Sequence, residues 1–216
     1  LYVEASLAVL ELIDSYSDIE RKVNQALAEE FNTVLGKSVL IIRDRIRELV
    51  GPWIASQPEI LSLGFQSGDS LAGYFGIPVS QVGIAIESII LSVQNSVHVN
   101  FTKLNKDLKG GFSIYVQPSD FQNLLSLSVG HVVYERGDLH WLDWLLTKGS
   151  SIIIANYEYS PKSGAGRSGL GTMSIGGSFR VPPAFSGTEQ DNFITRALVG
   201  GTQFSEIEKI IKSVLL

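Results

Sequence analysis

The chain has 216 residues, long enough for one large domain or two small ones around a sizeable hydrophobic core. Hydrophobic residues make up 44% and charged residues 18%, which excludes a disordered chain and leaves less charge than a fully wetted surface usually carries; partners are expected to cover part of it. A net charge of −5 argues against a general nucleic-acid coat, and with no cysteine there can be no disulfide scaffold, thiolate metal site or cysteine nucleophile.

Val3 to Ile13 is a short apolar stretch that breaks at Asp14-Ser15-Tyr16. Ser17 to Glu20 spells S-x-x-E, a capping box in which each side chain satisfies a free backbone N–H at a helix start. Beyond it Ile19, Val23, Ala26, Leu27, Phe31, Val34, Leu35, Val39, Ile42, Ile46 and Leu49 recur every three or four residues, one apolar stripe on a helix running to Val50. Gly51-Pro52 is expected to stop it. Some 32 residues at 1.5 Å each make a helix about 48 Å long, more than a compact domain needs, so its far end is expected to pack on a neighbour. The alternative is two ordinary helices divided at Gly36.

Pro58 to Gly76 reads as a turn-rich segment, followed by a helix after Pro78 with Ser80 as its cap. Ser96 to Phe101 and Phe112 to Val116 alternate in period two around Lys109-Gly110-Gly111, the pattern of a β-hairpin. Short helices are expected after Pro118-Ser119-Asp120 and from Leu139 to Leu146, and Ser151 to Tyr157 reads as a strand. Ser160 to Gly177, with six glycines and two positive charges, is expected to be a mobile loop or extended arm, continued by the extended Phe179 to Phe185 with its paired prolines. A helix begun by Ser205 closes the chain. The fold class is α+β: a long N-terminal amphipathic helix, a hairpin plus strand in a small, mostly antiparallel sheet, a Gly-rich arm and a C-terminal helix. It reads as a single domain, helical over 1–52, mixed over 53–159, an arm over 160–187 and helical over 188–216. No apolar run approaches the roughly 20 residues of a membrane span. No secretory leader is visible, and the lack of an initiator Met leaves room for residues before Leu1.

Chemistry-bearing patterns are weak. Gly164 to Gly169 matches G-x-G-x-x-G, but Leu170 to Gly177 is hostile to the helix that a dinucleotide site needs, so no cofactor is expected. His131, Glu135, Asp138 and His140 lie within ten residues, yet their spacing fits no metal motif and reads better as a polar turn around Arg136-Gly137-Asp138. No G-x-S-x-G elbow supports a serine nucleophile. Asn100-Phe101-Thr102 is a formal glycosylation sequon that carries no weight without a leader. Arg43, Arg45 and Arg47 alternate with Asp44 and near Glu48, a solvated and largely neutralised face. No catalytic or metal residue is assigned, and the chain is read as non-enzymatic.

The second half carries a resemblance. Asp120-Phe121-Gln122-Asn123-Leu124-Leu125, Leu139-His140-Trp141-Leu142-Asp143-Trp144-Leu145-Leu146 with Gly149, Gly166-Arg167-Ser168-Gly169 with Met173, Arg180-Val181-Pro182-Pro183-Ala184-Phe185-Ser186-Gly187-Thr188 and Asp191 to Leu198 together resemble a family of tailed-bacteriophage virion structural proteins over roughly residues 120 to 198. The W-L-x-W-L-L and R-V-P-P stretches are its specific parts. A long N-terminal helix ahead of an α+β region resembles, in layout alone, the head–tail joining and tail-completion proteins.

That resemblance implies a virion protein, assembled in the host cytoplasm, that forms a homo-oligomeric ring, a hexamer or dodecamer, at the neck or tail end. Its partners would be further copies of itself and neighbouring neck and tail proteins, with DNA passing without specific binding and no membrane involved. Trp141 and Trp144 are candidates for the ring contact or, on the reading their three-residue spacing favours, for the chain's own core. The arm is the stronger interface candidate, through Lys162, Arg167, Met173, Phe179, Arg180 and Phe185, pairing with a neighbour as an added strand. The alternatives are a tail-tube or sheath-associated subunit and, behind that, a virion enzyme.

Overall fold

A computed structural model describes residues 13–134, 137–161 and 166–215. Most of Val3 to Ile13, together with Lys162, Glu135 and Arg136, therefore lies outside the described residues. The first helix, α1 (Tyr16–Ala55), is capped two residues before the expected Ser17. Ser15 is the N-cap, accepting from the Asp18 N–H at 3.2 Å, so Ser17 falls inside the helix. The helix passes Gly36 without a break and also runs through Pro52 to Ala55, against the expected stop. A proline in a helix costs about 3 kcal/mol. Here Val50 and Ile54 on either side are fully buried, each worth about 1.5–3 kcal/mol, which offsets it. The Gln94 side chain also donates to the Arg47 carbonyl at 2.8 Å, holding that turn to the next long helix.

The turn-rich reading of Pro58 to Gly76 is corrected: it holds two short helices, α2 (Pro58–Gly64) and α3 (Leu71–Phe75). Pro58 opens α2 where a missing N–H costs nothing, and Ser70 caps α3 by accepting from Gly73 N at 3.1 Å. The helix α4 (Val79–Asn95) follows Pro78 as expected, with Pro78 rather than Ser80 at its cap position. Strands β1 (His98–Thr102) and β2 (Gly111–Tyr115) form the expected hairpin, with Asn100 opposite Ser113. After α5 (Gln122–Leu125) and a single 3-10 turn, β3 (Val132–Tyr134) and β4 (Gly137–Leu139) pair antiparallel where only a polar turn was expected. The helix α6 (Trp141–Leu146) begins after that hairpin.

The largest correction concerns the arm. Thr172–Arg180 is a strand, β6, paired antiparallel with β5 (Ile152–Ser160) of its own chain. The register shifts between Ala155 and Tyr157, where Asn156 (φ 61°), Gly176 (φ 133°) and Gly177 (φ 62°) take backbone angles that most side chains resist. The two glycines thus serve a bulge that bends the hairpin. Its far end docks on the body: a side chain at Gly68 would collide with the carbonyls of Pro161 and Leu170. The strand partner expected from a neighbouring subunit is supplied by β5. Pairing satisfies within the chain the backbone N–H and C=O groups of β6 that face β5, which the glycine content alone did not suggest.

The chain ends in α7 (Phe193–Leu198) and α8 (Gly201–Leu215), the latter four residues earlier than Ser205. Asn192, fully buried, caps α7 by accepting from Ile194 N and Thr195 N and donates to the Leu146 and Thr188 carbonyls, which ties α6 to α7. The fold is α+β, with three two-stranded antiparallel sheets among the described residues in place of one small sheet. Its core joins Ile42, Ile46, Val50 and Ile54 of α1 to Ile89 and Val93 of α4, Phe75, Trp141, Leu145 and Phe193. α8 lies along α1, with Trp53 Nε1 donating to Glu206 Oε2 at 3.1 Å and Arg45 to Ser213 Oγ at 2.9 Å.

Candidate functional site: an apolar helix face and a hairpin-covered cavity

The stripe read along α1 divides in two. Its C-terminal members Ile42 and Ile46 face the core. Val23, Leu27, Phe31 and Val34 of the stripe, joined by Tyr16 and Ile41 from outside it, are spaced seven, four, four, three and seven residues apart from Tyr16 to Ile41; they share a neighbouring side of the helix and face outward, with Leu27 40% and Ile41 51% exposed. At 1.5 Å per residue this face extends about 38 Å. Further round the helix Arg21 pairs with Asp18 at 2.9 Å and Lys22 with Asp14 at 2.7 Å, while Glu20, Glu30 and Lys37 lie on or beside the stripe. Among the described residues one polar tie holds this half to the body, between Asn32 and the backbone of Leu104.

Beneath the bent β5–β6 hairpin lies a cavity of about 560 Å³. Tyr74 stands on its wall, 5.3 Å from the Phe179 ring and 4.7 Å from the Tyr159 ring. Asp138, His140, Asp143, Lys148 and Arg167 are among its charged or titratable lining, and Trp144 and Met173 among its apolar lining. The Tyr159 hydroxyl is buried with no hydrogen-bond partner among the described residues, and burial first, then Asp69 and Tyr74, raises its pKa above the ordinary phenol value of 10.0.

The expected interface residues scatter. Trp141 is fully buried in the chain's own core, 5.9 Å from the Phe75 ring, and its indole donates to the Val129 carbonyl at 3.0 Å. Phe179 is buried against Tyr74. Neither is available as a contact anchor, because intrachain packing already consumes its surface. Trp144 and Phe185 are half-buried against the core, the cavity-lining Met173 is paired with Tyr159, and Arg180 is exposed opposite Ile152. Arg167 donates to the Val133 carbonyl at 2.7 Å and lies 5.4 Å from the centre of the Tyr134 ring. It bridges the two later hairpins within one chain. Lys162 is outside the described residues. The described part of the glycine motif, Gly166 to Gly169, is a turn closed by Gly169 N on the Gly166 carbonyl at 2.8 Å, and it leads into β6 rather than a helix.

Of the basic cluster, Arg43 pairs with Asp44 at 2.9 Å, and Arg47 stands 3.9 Å from the same carboxylate. The expected polar turn instead brings His131, Asp138 and His140 together on one face of β3–β4. Glu59, 1% exposed, is engaged by Arg196; burial raises its pKa, against the opposing pull of a backbone hydrogen bond and Arg196. The chain matches no family model, no curated protein and no solved structure. No helix among the described residues is long and apolar enough to cross a membrane.

Proposed function

We propose that the chain is a non-enzymatic structural component of a tailed-phage virion, forming a homo-oligomeric ring, a hexamer or dodecamer, at the neck or tail end. The outward apolar face of α1 carries this reading. Six large apolar side chains along one side of a helix are costly to leave in water, at about 25 cal/mol per Å² of apolar surface. A second copy is the occupant that suits it, since Glu30 and Lys37, of opposite sign, border the stripe two turns apart and a neighbouring copy can set each against its opposite. Contacts of one face against a different face of the next copy close into a ring when the rotation permits. Each two-stranded sheet also keeps unpaired edges, which offer strand addition between neighbours as a further contact. The resemblance over residues 120 to 198 supplies the virion setting, and the net charge of −5 suits a ring through which DNA slides without sticking.

Reconstruction of particles of the encoding phage tests this. A single ring of few copies at the head–tail junction or tail end is the expected result. Many copies along the tail would replace it with the tube or sheath reading, and absence from the particle would overturn it.

A further inference from the structure

We propose that His131, Asp138 and His140 form a binding site for one divalent transition-metal ion of the zinc type. In β3–β4, Val132 pairs with Leu139 and Val133 with Asp138. One step beyond the strand end, that register sets His131 opposite His140. Asp138 is two residues from His140 and so on the same face of the hairpin. Three residues whose linear spacing looks arbitrary are thus gathered by pairing. The Asp138 carboxylate stands 2.8 Å from His131 Nδ1 and 3.4 Å from His140 Nε2. All three donor atoms lie within 4.8 Å of one another, and the two imidazoles are stacked at 5.1 Å. Ligand atoms around a tetrahedral zinc stand about 3.3 Å apart, given bonds of about 2.0–2.2 Å, so the spacing suits an ion once the two imidazoles rotate out of their stack to aim a nitrogen each at it.

Two imidazoles and one carboxylate are a borderline donor set. It disfavours calcium and magnesium, which take all-oxygen cages, and copper(I), which takes sulfur. Three protein ligands leave at least one coordination position for water or another donor. The ion would clamp a hairpin whose three-residue strands are too short to be stable by themselves. That hairpin presents the Val133 carbonyl and the Tyr134 ring to Arg167, so the clamp fixes the surface on which the β5–β6 connection rests. The site stands independently of the ring assembly.

Zinc titration of the full, metal-free chain by calorimetry, repeated with cobalt by visible absorption, provides the test. Saturable uptake of one ion per chain is expected, with His131→Ala, Asp138→Asn and His140→Ala each weakening it at least about tenfold. The only other histidine is His98, and His98→Ala should leave binding unchanged. Hydrogen exchange in β3–β4 should slow on zinc addition. No saturable uptake, or uptake indifferent to the three substitutions, would overturn the proposal. The near-isosteric Asp138→Asn guards against loss of binding through misfolding, which circular dichroism in metal-free buffer checks for every variant.

Discussion

Asn32 and Leu104 exchange two hydrogen bonds across 72 positions of sequence: the Asn32 amide donates to the Leu104 carbonyl at 3.0 Å, and the Leu104 N–H donates to Asn32 Oδ1 at 2.7 Å. This pair ties the outward half of α1 to the chain leaving β1. Asn32→Ala would leave both backbone groups without their partner and should cost about 1–3 kcal/mol in chemical denaturation. Amide exchange should accelerate in the N-terminal half of α1 and much less beyond Ile42. Unchanged exchange there would mean that the helix is held by other contacts.

Trp141 and Trp144 should separate sharply by stability. Trp141→Ala removes a fully buried indole and its hydrogen bond and should cost about 3–5 kcal/mol, whereas half-buried Trp144 should cost clearly less. Guanidinium titration of the dissociated chain gives the comparison. Equal, small losses would return Trp141 to the role of an interface anchor.

Glu59 makes stability depend on pH with a defined sign. Burial makes its carboxyl harder to ionise folded than unfolded, so the folded chain retains the proton over a range that opens at the ordinary value of 4.5 and extends upward. Within that range the folded state binds more protons, and its contribution to stability falls as pH rises. Glu59→Gln should remove this component, so the stability of the parent relative to the variant should decline as pH rises from 4.5. A relative stability that rises instead would mean that Arg196 outweighs burial and holds the group ionised.

Legibility in sequence tracked the length and regularity of each element. The three-to-four spacing from Ile19 to Leu49 announced α1, and alternation on both sides of Gly110-Gly111 announced β1–β2. Which part of the α1 stripe is covered was not legible, because periodicity fixes a side of a helix and says nothing of what packs there. β3 and β4 are too short to display a period, so the meeting of His131, Asp138 and His140 depended on a pairing that linear spacing conceals. β6 was obscured by glycines that look like linker and instead form a bulge, and Pro52 failed as a stop because the burial of Ile54 offset its cost.

Charge placed on the outward face of α1 should uncouple assembly from folding. Leu27→Asp and Phe31→Asp alter side chains that are 40% and 45% exposed, so monomer stability should change by no more than about 1 kcal/mol. Assembly should be lost in both. A collapse of monomer stability would place these side chains in an intrachain contact.

Native mass spectrometry of the purified full chain over a concentration series tests the ring most directly. A single closed species, hexamer or dodecamer, that grows with concentration and disappears in Phe31→Asp is the predicted result. A monomer at every concentration, or an open-ended ladder of sizes that Phe31→Asp leaves unchanged, would contradict it.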